Sequence, residues 1–128
     1  MAFRVLVIDD SPAMRTLIRR VIDVSGLEAD EVFEASDGQE ALELLEREWV
    51  DVILTDINMP RMNGEEFVRR VAEAGLTRSI PIIVISTDGT VVRREHLKEL
   101  GIRGYLVKPF QPEELKEQIE KVLGVPDA

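Results

Sequence analysis

A few polar residues stand just after short apolar runs, and their types suit one kind of chemistry. Asp9 and Asp10 follow Val5-Leu6-Val7-Ile8. Asp56 comes just after Val52-Ile53-Leu54, with Asn58 two residues on. Ser86 and Thr87 follow Ile82-Ile83-Val84-Ile85, and Lys108 and Pro109 follow Tyr105-Leu106-Val107. Three carboxylates sharing one crevice repel, and some would take up protons unless a cation neutralised them. A donor set of oxygens without Cys or His suits a hard ion, and with waters completing the shell Mg²⁺ is the natural choice. Lys108 would add a fixed positive charge, and the Ser86 hydroxyl a hydrogen-bond donor. A carboxylate nucleophile in such surroundings accepts a phosphoryl group as an aspartyl phosphate. The cation, Lys108 and Ser86 would then spread the charge on the phosphoryl oxygens. Nothing in the set resembles a pocket for a carbon skeleton.

These residues need elements that carry them to one place. Three of the four apolar runs are continuous and rich in β-branched residues, as strands buried on both faces of a parallel sheet are. Glu31-Val32-Phe33-Glu34-Ala35 is more polar and predicts an edge strand. Between the runs, Met14, Leu17, Ile18, Val21 and Ile22 repeat with helical spacing. Ser11 is placed to cap that helix, Pro12 suits its first turn, and Gly26 can end it. Asp37 with Glu40 three residues on predicts the start of a second helix, with Ala41, Leu44 and Leu45 buried. Phe67, Val68 and Val71 mark a third that Gly75 closes, and a last one begins near Pro112 and buries Leu115, Ile119, Val122 and Leu123. From Thr90 to Leu100 the apolar stripe is thin, which predicts a loosely held and largely solvated helix. Strand and helix alternate five times, the pattern of an α/β fold with a parallel sheet and helices on both faces. In such sheets ligands bind beyond the carboxyl ends of the strands, where the polar residues above stand.

Composition narrows the partners. The 128 residues carry 16 basic and 25 acidic side chains, a formal net charge of −9. That balance argues against nucleic acid and against an anionic membrane surface. No cysteine is present, which removes disulfides and thiolate chemistry. The opening residues have no signal-peptide layout, and no apolar run approaches the ~20 residues of a membrane span. A cytoplasmic protein is expected. One domain fills this length, running over 1–124, with a flexible tail at 125–128. His96 reads as a surface residue, Trp49 as a cover for the bottom of the sheet, and Met14, Met59 and Met62 as packing.

Taken in order, Asp9-Asp10, Asp56-Ile57-Asn58-Met59-Pro60 with Gly64, Ser86, and Lys108-Pro109-Phe110 resemble the receiver domains of two-component response regulators, of the CheY-like type. The resemblance covers roughly the whole chain. It implies the flavodoxin-like strand order 2-1-3-4-5. It also implies phosphorylation of Asp56 by a sensor histidine kinase, with no catalysis beyond the protein's own phosphorylation and dephosphorylation. Asp9 and Asp10 would hold Mg²⁺, with Asp10 and Asp56 binding it directly and Asn58 through its backbone carbonyl. Lys108 would contact the phosphoryl group. Ser86 and Tyr105 would form the coupled switch, and the Lys108–Pro109 bond would be cis.

In this family the positions of Asn58 and Asp88 influence phosphoryl loss, and the amide and acid here resemble quickly dephosphorylating chemotaxis members. Thr87 departs from the Ala or Gly of many relatives and would narrow the approach to Asp56. With no DNA-binding stretch following, the expected output is protein binding. Phosphorylation would switch the face built by the fourth helix, fifth strand and fifth helix toward a flagellar switch or, alternatively, a histidine phosphotransfer protein in a phosphorelay. A Mg²⁺-dependent phosphatase forming an aspartyl phosphate is the rival of a different class, although its usual second aspartate is replaced here by Asn58.

Overall fold

The computed structural model describes residues 3–75 and 79–124. Its elements alternate as β1 (Phe3–Ile8), α1 (Pro12–Val24), β2 (Ala29–Ala35), α2 (Gly38–Leu45), β3 (Val52–Thr55), α3 (Gly64–Glu73), β4 (Ile82–Ser86), α4 (Val91–Glu99), β5 (Gly104–Val107) and α5 (Pro112–Leu123). The five strands are parallel in the order β2-β1-β3-β4-β5, so β2 is an edge strand as expected. It begins two residues earlier than its apolar content indicated, because Ala29 pairs with Phe3. The expected tail at 125–128 lies outside the described residues. Among the described residues no helix is long and apolar enough to cross a membrane.

Side chains alternate across the sheet with the period of two that strand geometry imposes, and they feed two separate cores. Leu6, Ile8, Ile53, Ile82 and Val84 pack with Ala41 and Leu44 of α2, Phe67, Val68 and Val71 of α3, and Leu97 of α4. Val5, Val7, Val52, Leu54, Ile83, Ile85 and Leu106 pack with Ile18, Val21 and Ile22 of α1 and Leu115 and Ile119 of α5. Each fully buried aliphatic side chain of this kind contributes about 1.5–3 kcal/mol. Helix α4 has Leu97 alone buried among its nine residues, in agreement with its thin stripe.

Two expected core residues face outward. Leu17 is 48% exposed, because α1 turns only Ile18, Val21 and Ile22 fully onto the sheet. Trp49 is 51% exposed and does not cover the sheet: on the connection between α2 and β3 it is the neighbouring Val50, at 0% exposure, that fills the core. Caps form where the sequence placed them. The Ser11 hydroxyl accepts from the Met14 amide at 3.2 Å and the Asp37 carboxylate from the Glu40 amide at 2.9 Å. The Glu40 carboxylate in turn accepts from the Ser36 hydroxyl at 2.7 Å.

Candidate functional site

Sheet register assembles the site. Ile8 of β1 pairs with Thr55 of β3, so the next residues, Asp9 and Asp56, leave the sheet side by side. The Asp56 amide donates to the Ile8 carbonyl at 3.0 Å. On the other side Ser86 pairs with Val107, and the Lys108 amide donates to the Ser86 carbonyl at 2.8 Å. The Lys108–Pro109 peptide is cis. The Lys108 ammonium then lies 3.2 Å from Asp9 Oδ2 and 3.4 Å from Asp56 Oδ2.

Each carboxylate is also held by backbone. Asp9 Oδ1 accepts from the Ser11 amide at 2.9 Å, and Asp56 Oδ1 from the Ile57 amide at 2.7 Å. Asp9 is 2% exposed, and burial pushes its carboxyl above the ordinary range. The Ser11 amide and Lys108 pull in the other direction, and the charge of Asp56 adds to the push. Asp10 is exposed, yet one oxygen each from Asp9, Asp10 and Asp56 lies within 4.8 Å of the others. Three carboxylates face one ammonium there. The set fits a hard divalent cation: all the side-chain donors are oxygens and one lysine leaves the charge unbalanced.

Close backbone approach sets the Asp56 end. The Gly64 amide donates to the Ile57 carbonyl at 2.8 Å. A Cβ at position 64 would stand 2.1 Å from the Asp56 carbonyl oxygen, so α3 begins where only a glycine fits. Asn58 is exposed on the connection between β3 and α3.

The remaining candidates gather on the loop after β4. Ser86 is fully buried, and its hydroxyl accepts from the Asp88 amide at 3.1 Å. The Tyr105 hydroxyl donates to the Asp88 carbonyl, and Arg94 lies over the Tyr105 ring at 5.1 Å. Ser86 and Tyr105 thus grip the two backbone groups of one residue. The Asp88 carboxylate is turned to the start of α4. It accepts from the Thr90 amide at 2.9 Å and lies 3.5 Å from Arg93. The Thr90 hydrogen bonds hold its carboxyl below the usual range against desolvation, with a smaller contribution from Arg93. Thr87 is exposed and shares a groove with Lys108, Pro109 and Leu17.

Two residues at this edge were not picked out from the sequence. Arg15 donates to the Asp9 carbonyl at 2.5 Å and pairs with Glu34 at 2.9 Å, steadying the end of β1. Arg61 pairs with Asp37 at 2.6 Å. Their sequence separations of 6 and 24 match no local pattern, so spacing alone could not find them.

Comparison with known proteins agrees with this geometry. The family model described as the response regulator receiver domain matches residues 5–120. A chemotaxis protein CheY homologue of Campylobacter jejuni is 42% identical over 122 residues, 94% of this chain and 92% of its own. Chemotaxis protein CheY1 of Helicobacter pylori is 41% identical over 125 residues, 97% and 99% of the two chains. Among solved structures, the chemotaxis response regulator CheY4 of Vibrio cholerae superposes with a TM-score of 0.84 at 36% identity, over 96% of this chain and all of its own. With the carboxylates, the lysine and the strand order in place, the chain belongs to the response regulator receiver domain family, as a CheY-like member.

Proposed function

We propose that this protein is a single-domain response regulator, a receiver unit running to Gly124, that is phosphorylated on Asp56 and switches a protein-binding face. The observation that carries the reading is the Lys108 ammonium held between Asp9 and Asp56 at the carboxyl edge of the sheet. The donor is a phosphohistidine of a sensor kinase, or a small acyl phosphate in its place. One Asp56 carboxylate oxygen forms a bond to phosphorus while the phosphorus–nitrogen bond of the phosphohistidine, or the bridging phosphorus–oxygen bond of the acyl phosphate, breaks, and the bonding pair leaves on the imidazole nitrogen or the carboxylate oxygen. Asp56 is 12% exposed on its side chain, enough for a donor to reach it. Asp9, Asp10, Asp56 and the Asn58 carbonyl would hold Mg²⁺, which offsets negative charge on the carboxylates and the incoming phosphoryl oxygens. Lys108 contributes a fixed cation to the same oxygens.

The switch follows from the grip on Asp88. The Ser86 hydroxyl accepts from the Asp88 amide, so its turning toward a phosphoryl oxygen would shift Asp88, and that same residue holds the Tyr105 hydroxyl through its carbonyl. A change at Ser86 is therefore felt at Tyr105, on the face built by α4, β5 and α5. The relatives named as chemotaxis proteins support a role in chemotaxis signalling, and the proposed target is a flagellar switch or a phosphotransfer protein in the cytoplasm. Asn58, Thr87 and Asp88 are proposed to tune phosphoryl loss, with no other substrate turned over.

The test is incubation with acetyl phosphate and Mg²⁺, read by intact mass. The expected result is a single phosphoryl mass gain in the wild type, absent in Asp56→Asn and lost with a chelator. Equal labelling of Asp56→Asn would overturn the assignment.

A further inference from the structure

The connection between β3 and α3 is pinned from two sides. At its start, Ile57 is held by the Asp56 carboxylate and by Gly64. At its end, Arg61 takes a left-handed backbone conformation, φ 61°, that non-glycine residues adopt at a cost. The Arg61 Nε–H donates to Asp37 Oδ2 at 2.6 Å, while Asp37 Oδ1 caps α2 by accepting from the Glu40 amide. The Asp37 side chain is 4% exposed and that of Arg61 is 62% exposed. Burial alone would raise the Asp37 carboxyl, but the Arg61 hydrogen bond and the amides at the start of α2 outweigh it and hold it below the ordinary range. Next to the pair, the Gly38 amide donates to the Met62 carbonyl at 3.0 Å. A Cβ at position 38 would come within 2.8 Å of Met62 Cγ, so the start of α2 lies directly against the loop. Between the two pins stands Asn58.

Resting on the metal reading above, we infer that the Asp37–Arg61 pair is a positioning device for that site: α2 clamps the loop from outside and sets where the Asn58 carbonyl points. A buried carboxylate and a strained arginine need each other to hold this shape, and the shape serves a residue neither of them touches. Partners hydrogen-bonded to metal ligands change metal affinity by about 10–100-fold when removed, and a pair that holds only the ligand's loop belongs at the low end of that range.

Two variants of opposite charge separate positioning from simple field effects. Asp37→Asn keeps the cap, since asparagine caps as well as aspartate, but removes a negative charge. Arg61→Gly relieves the left-handed backbone and removes a positive one. A pure field effect would weaken Mg²⁺ binding in the first and strengthen it in the second. Positioning weakens it in both, by about tenfold at the low end of that range.

The experiment is calorimetric Mg²⁺ titration of wild type, Asp37→Asn, Arg61→Gly and the double variant, with thermal unfolding as a folding check. The expected result is weaker binding in both single variants and no further loss in the double. Acetyl phosphate labelling should slow at limiting Mg²⁺ and recover at saturation. Unchanged binding, or shifts of opposite sign, in folded variants would overturn the clamp and leave the phosphorylation reading intact. Absence of Mg²⁺ binding in the wild type would overturn both.

Discussion

Replacing Gly64 by alanine tests whether the start of α3 places Asp56. The added Cβ would meet three backbone atoms: the Asp56 carbonyl oxygen at 2.1 Å, Ile57 Cα at 2.8 Å and the Asp56 carbonyl carbon at 3.0 Å. Backbone cannot rotate away as a side-chain tip can. The shortest contact must open by about 0.9 Å to reach 3.0 Å, and misplacement by ~1 Å at a reacting centre costs about 10²-fold in rate. Overpacking of this kind costs about 1–3 kcal/mol, or roughly 4–12 °C in Tm for a domain of this size. The assay is the rate of phosphoryl mass gain with acetyl phosphate and Mg²⁺, at a temperature where circular dichroism shows the variant folded. Gly75→Ala is the control, because position 75 has φ 76° with open space around it and lies at the far end of α3. It should lose stability and keep its labelling rate. A folded Gly64→Ala protein that labels as fast as wild type would refute the placement argument.

Lys108→Met removes the ammonium 3.2 and 3.4 Å from the two carboxylates and should slow labelling by about 10²–10³-fold, measured at fixed Mg²⁺. An unchanged rate would remove Lys108 from the chemistry. Asp37 is held below the ordinary carboxyl range, so its contribution is present above the unfolded value of ~3.9 and lost as pH falls toward the folded one. Asp9 is held above that range, so its contribution is present at acid pH and lost as pH rises through its folded value. Urea unfolding of the metal-free protein over roughly pH 3 to 7 should show a flatter acid limb in Asp37→Asn and a smaller fall with rising pH in Asp9→Asn. Leu97→Ala removes the one buried side chain of α4 and should cost about 2–5 kcal/mol of that helix's anchoring. Hydrogen exchange should rise over residues 91–99 while β1 and β3 stay protected, and a uniform rise would contradict it.

The strands and their polar ends were legible because parallel-sheet packing writes itself as short β-branched runs, and Asp9, Asp56, Ser86 and Lys108 each stand at the end of one. Their meeting depends on register, and the pairing of Ile8 with Thr55 is stated nowhere in the order of residues. The Asp37–Arg61 pair escaped for the same reason. Asp37 was identified only as a cap, and its second oxygen was open to any cation the fold delivered. Leu17 faces outward because apolar character sets a preference for burial, while the width of the contact between α1 and the sheet decides which apolar residues are covered, and Trp49 lies on the connection between α2 and β3, where no periodicity assigns a buried face. The shared hold of Ser86 and Tyr105 on Asp88 joins residues 19 apart through main-chain atoms, which side-chain identity does not encode.

Eight of the nine residues of α4 carry no packing duty in the core. Substitutions there are nearly free of folding cost, since surface changes usually stay within about 0.5 kcal/mol. The carboxylate site is built on buried strand ends and close backbone contacts, while α4 is anchored through Leu97 alone. The outer surface of α4 can therefore be rewritten in shape and charge without disturbing the strands that carry Asp9, Asp56 and Lys108.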